Sequence, residues 1–63
     1  MKQEELRQMA RIVKATEDVS FKEMAEDLLN INCHSFYNWL NGEYNLSQSK
    51  SLELYEFLIN FLD

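Results

Sequence analysis

Ser20-Phe21-Lys22-Glu23-Met24-Ala25-Glu26-Asp27-Leu28-Leu29-Asn30-Ile31-Asn32-Cys33-His34-Ser35-Phe36-Tyr37-Asn38-Trp39-Leu40-Asn41-Gly42 decides the fold, because it spells two short helices with their start and stop signals. Ser20 followed three residues later by Glu23 is a capping box, so a helix is expected from about Phe21 to Leu29. Phe21, Met24, Ala25 and Leu28 recur at the spacing of one helix face and give it a buried side. Asn30 tolerates the left-handed conformation of a helix stop. Asn32 then caps a further helix, about Cys33 to Leu40, whose Phe36, Trp39 and Leu40 fall at i, i+3 and i+4 and point inward. Gly42, the only glycine of the chain, closes that helix directly after Asn41.

Working outward, Leu6, Met9, Ala10 and Val13 mark an amphipathic helix over about Glu4 to Thr16. Arg7, Arg11 and Lys14 form a basic stripe beside its apolar face. Leu46 is expected under the core, and Ser47 caps a last helix over Gln48 to Leu62. The prediction is all-α: one compact four-helix domain, residues 1–63, with helices near 4–16, 21–29, 33–40 and 48–62. The last helix is too apolar for a single buried face. Leu52, Tyr55, Ile59 and Leu62 make one stripe; Leu54, Phe57, Leu58 and Phe61 make a second. The second stripe is expected at a homodimer interface; the alternative lays it over the first helix.

Length and composition support a small helical module. Sixty-three residues bury only about 60% of the surface of the unfolded chain, so helix packing or a partner subunit must supply stability. One cysteine forms no internal disulfide, and the adjacent Cys33 and His34 diverge on a helix rather than converge on a metal. No metal and no cofactor are expected. No apolar run reaches a membrane span, and the start MKQEELRQ lacks the apolar stretch of a signal peptide, so a cytoplasmic location is expected. Catalysis is not: no carboxylate pair is placed for acid–base work, and no Gly-rich phosphate loop exists.

The charge is uneven. Residues 1–14 set Lys2, Arg7, Arg11 and Lys14 against Glu4 and Glu5, a balance of +2, whereas residues 15–63 set Lys22 and Lys50 against nine acids, a balance of −7. Nucleic-acid affinity draws on Lys and Arg neutralising phosphates, so this balance counts against DNA.

Two short helices joined by a tight turn form a helix-turn-helix. Leu29, Ile31, Phe36, Trp39, Leu40, Asn41 and Gly42 resemble, in register, the turn and recognition helix of the lambda repressor and Cro-like (XRE-type) family. Phe21 to Glu26 is similar to that family's first motif helix, with Ala25 at the small-residue contact position. Residues 20–47 carry the resemblance, and the Phe-Tyr-Asn-Trp-Leu-Asn-Gly run looks like short phage and prophage proteins of low-GC Gram-positive bacteria. The family's turn glycine is replaced by Asn30. From Ala25 to Ile31 the chain also has one residue more than the family spacing, which the helix or the turn must absorb. Glu43 and Tyr44 stand where the family often has Lys or Arg.

The resemblance implies a homodimeric, sequence-specific transcriptional regulator, a repressor-like protein of a bacterial cell or an infected host, binding double-stranded DNA with helix 33–40 in the major groove. Base edges would be read by Asn32, Cys33, His34, Ser35, Tyr37 and Asn38. Phosphates would be held by Lys22, Tyr44, Asn45, Ser47 and Lys50, with charge added by Arg7 and Arg11. The alternative keeps the fold and binds a protein partner instead, as an adaptor, an antirepressor or an inhibitor of a nucleic-acid enzyme. The positions of Lys22, Lys50, Arg7 and Arg11 relative to the third helix separate these readings.

Overall fold

A computed structural model describes residues 2–62 and realises each start and stop signal as a specific set of bonds. The helices are α1 (Gln3–Thr16), π1 (Glu23–Leu28), α2 (Cys33–Leu40) and α3 (Gln48–Leu62). The Ser20–Glu23 capping box forms in both directions. The Glu23 amide donates to Ser20 Oγ at 3.1 Å, and the Ser20 amide donates to Glu23 Oε1 at 3.3 Å. Asn32 Oδ1 accepts the His34 amide at 2.7 Å, and Ser47 Oγ accepts the Lys50 amide at 3.2 Å. Gly42 sits at φ +86°, and a Schellman pair closes α2: Gly42 N–H to Trp39 C=O and Glu43 N–H to Asn38 C=O, both 3.0 Å.

The second helix departs from ordinary winding. It begins at Phe21, and over Glu23–Leu28 it is a π-helix. The Leu29 amide reaches back five residues to the Met24 carbonyl at 3.1 Å. Ile31 N–H then reaches the Ala25 carbonyl at 2.9 Å, one residue wider than the closing bond of a Schellman stop. Asn30, at φ +57°, supplies the left-handed residue between them. The extra residue counted between Ala25 and Ile31 is thus taken up inside the helix, as π winding does. Met24, Ala25 and Leu29 all remain buried as a result.

α3 packs chiefly on α1 and also on π1, while α2 packs on π1. Leu6, Ala10 and Val13 of α1 meet Met24, Ala25 and Leu29, Phe36, Trp39 and Leu40, Leu46, and Leu54 and Leu58 in one core. Phe36 bridges Phe21 and Trp39, at ring-centroid distances of 5.9 and 5.3 Å. Leu54 and Leu58 correct an expectation: placed above at a dimer interface, they are wholly buried within the chain's own core. The cause is that α3 crosses both α1 and π1. The core seam therefore runs along Leu54 and Leu58 of the second stripe, with Phe57 and Tyr55 half-buried on either side of it. Full burial of each leucine contributes roughly 1.5–3 kcal/mol.

Candidate functional site

π1, the turn through Asn30 and Ile31, and α2 form the helix-turn-helix arrangement, and α2 presents its polar side to solvent. Asn32, His34 and Tyr37 are exposed; Cys33, Ser35 and Asn38 are half-buried on the same short helix. Tyr37 is 48% exposed, its ring held edge-on to Phe21 at 5.7 Å. No Asp, Glu, Lys or Arg occurs from Asn30 to Gly42. The face is rich in side-chain amides and hydroxyls, with His34 its one imidazole, and is anchored from behind by Phe36, Trp39 and Leu40. Among the described residues no group of three metal-ligating side chains converges, and the Cys33 thiol is free.

The cations do something the sequence reading missed. Neither π1 nor α2 has a basic residue in its last turn. A helix end leaves carbonyls without partners and carries partial negative charge. Other elements supply the cations. Arg7 of α1 is buried, and its Nε donates to the Trp39 carbonyl at 2.6 Å. Its Nη2 donates to the Tyr44 carbonyl at 2.9 Å and to Asn45 Oδ1 at 3.4 Å, and its Nη1 to Glu4 Oε2 at 3.4 Å. The guanidinium also lies 5.3 Å from the Trp39 ring centroid. One turn on, Arg11 Nη2 donates to the Leu40 carbonyl at 2.6 Å. From α3, Lys50 Nζ donates to the Leu29 carbonyl at 2.7 Å, closing π1.

Several residues expected at phosphates make bonds within the chain. Lys50 has its amine at the end of π1. The Tyr44 hydroxyl donates to the Ser35 carbonyl at 2.7 Å, and Ser47 Oγ serves as the cap of α3. The Arg7 and Arg11 side chains lie behind and at the end of α2, not along its outward face. Of the expected set, Lys22, Tyr44, Asn45 and Ser47 are exposed, and Asn45 offers its amide NH₂ while its carbonyl accepts from Arg7.

Gln3, unremarked in the sequence, is a polar hub. Its Oε1 accepts the Trp39 indole N–H at 2.7 Å and the Leu46 amide at 3.0 Å, while its Nε2 donates to Ser51 Oγ at 2.9 Å. One glutamine thus ties α1 to α2, to the 41–47 loop and to α3. Beside it an open groove runs past Asn45, Leu46, Gln48, Ser51, Leu52 and Tyr55.

Exposed apolar side chains lie on α3 and, at Ile12 (48% exposed), on α1. Phe57 is half-buried and meets Phe61 edge-on at 5.2 Å, and Phe61 reaches solvent. Leu52 (56% exposed) and Leu62 lie on the other stripe. No helix among the described residues is long and apolar enough to cross a membrane. Set against protein-family models, curated proteins and solved structures, the chain matches none of them.

Proposed function

We propose that the chain reads DNA sequence as a homodimer, with α2 in the major groove, in the manner of the lambda repressor and Cro-like regulators its motif resembles. The observation that carries this reading is the outward face of α2. In a chain of net charge −5, the one helix that projects its polar residues from a helix-turn-helix is free of acids. Eight residues of α-helix span about 12 Å, enough to lie along a major groove about 12 Å wide. Asn32 and Asn38 suit adenine edges, Ser35 suits several bases, and His34 donates to guanine acceptors. Cys33 and Tyr37 complete the reading surface. The Cα extents of 26 × 22 × 18 Å fall short of the ~34 Å between half-sites one turn apart, so a two-fold pair is needed to engage both. Its contact would use the apolar side chains that α3 leaves outside the core, Phe57 and Phe61 among them.

A second reading rests on a different observation. Arg7, Arg11 and Lys50 are engaged at helix ends, and Glu23, Glu26 and Asp27 line π1, which favours a basic protein partner. Selection from a randomised duplex library at two salt concentrations, with protein of measured oligomeric state, separates the readings. Enrichment of a near-palindromic site, bound more weakly as salt rises, supports the DNA reader. No enrichment at low salt transfers the function to the protein-partner reading.

A further inference from the structure

We infer that Arg7, with Arg11, is the positioning residue of the reading helix: it sets the pose of α2 without touching the ligand. This rests on α2 being the DNA-reading element. The inner face of α2 is three side chains, Phe36, Trp39 and Leu40, and a helix packed on so few contacts is free to rock about them. What restrains its C-terminal end is the guanidinium pair from α1. Arg7 holds the Trp39 and Tyr44 carbonyls together, fixing the last turn of α2 to the loop that follows Gly42. Arg11 holds Leu40 beside it. The same Trp39 is gripped three ways: carbonyl by Arg7, ring by the Arg7 guanidinium, indole N–H by Gln3. The opposite end of the motif is fixed in the same manner, Lys50 holding the π1 stop at Leu29. The turn and reading helix therefore sit inside a bracket of cation–carbonyl bonds reaching in from both flanking helices. Base discrimination requires donors held to a fraction of an ångström, so an end of α2 left loose blurs the readout before it abolishes binding.

Arg7→Lys isolates the effect. It keeps the charge, but a single ammonium lacks the planar fork that spans two carbonyls. Val13→Ala supplies the control, since Val13 is buried on α1 and belongs to no such bond. Affinities of wild type, Arg7→Lys, Arg7→Gln and Val13→Ala are measured for the selected duplex and for single-base variants of it, at several salt concentrations and on the folded fraction. Amide hydrogen exchange is recorded alongside. The expected result is a loss of roughly tenfold in discrimination for Arg7→Lys, the size of one mismatched base pair, with an unchanged salt slope. Amides of residues 38–43 should exchange faster in that variant, while Val13→Ala keeps the wild-type preference.

Three results overturn the inference. They are an Arg7→Lys that discriminates as well as wild type, an Arg7→Gln that lowers the salt slope by the ~0.9 of a direct phosphate contact, and a Val13→Ala that loses discrimination equally. A wild-type chain that enriches no duplex overturns the DNA reading and this inference with it. Failure of the inference alone appears as a selected site that Arg7→Lys still reads.

Discussion

Gln3 shows how much a single side chain organises in so small a domain. Its carbonyl oxygen is bonded to two donors that folding removes from water, the Trp39 indole and the Leu46 amide. Leaving a buried donor without a partner costs about 1–3 kcal/mol, and a domain of this size loses roughly 4–8 °C of melting temperature per kcal/mol. Gln3→Ala should therefore lower the Tm by about 10 °C or more, and Gln3→Glu, which keeps both acceptor bonds, by much less. Thermal unfolding followed by Trp39 fluorescence decides the matter; equal Tm values for the two variants would deny the hub its weight. Gly42 is the opposite case. A Cβ there would meet nothing within 4 Å, so only its positive φ opposes substitution, and the penalty is conformational rather than steric.

Among the elements, π1 is where the sequence is most informative and least complete. The helix boundaries, the capping box, the Asn30 and Gly42 stops and the burial of Ala25 and Trp39 were all legible, because caps and apolar spacing are local signals. The surplus residue before Ile31 was countable as well. Its location was not, since π winding and a longer turn satisfy the same spacing. The cations were misread for a physical reason. A basic stripe on a helix looks solvated from its own sequence, and the carbonyls it reaches lie some thirty residues away, across the fold. The missing clue was an absence: neither π1 nor α2 ends in a basic residue. Leu54 and Leu58 were misjudged similarly, because two apolar stripes do not reveal which neighbour covers the seam. Because π1 carries one residue more than α winding would hold, deletion of the exposed Glu26 should convert it to ordinary α-helix between the same ends. Circular dichroism should then show a cooperative melt within about 5 °C of wild type, on the same scaling of Tm with stability. Deleting Asn38 from α2 should abolish the melt, because it rotates Trp39 out of the core.

For the whole molecule, the decisive quantity under the proposed DNA-reading role is how few charges remain to meet a duplex. With Arg7, Arg11 and Lys50 bonded to carbonyls, Lys22 is the expected phosphate-binding cation beside the motif that makes no such bond among the described residues. Allowing two phosphate contacts per protomer, at ~0.9 per phosphate, a dimer should show a slope of log K against log salt no steeper than about −4. Fluorescence anisotropy over a salt series measures it. A slope near −8 would mean that the arginines leave their carbonyls for phosphates on binding, contrary to the bracket. Such a weakly charged reader would owe most of its selectivity to base edges, and would linger little on random DNA.

The construction of α2 carries one last implication, for what this scaffold tolerates. Apart from the Tyr44 hydroxyl on the Ser35 carbonyl and the Tyr37 ring against Phe21, what holds the helix is on its inner side or at its two ends: Phe36, Trp39 and Leu40 below, Asn32 before, Gly42 and the arginines after. His34 and Asn38 bear no part of that load through their side chains. The outer surface of α2 is in effect an interchangeable cassette, open to wholesale replacement by selection or design while the domain beneath it folds unchanged.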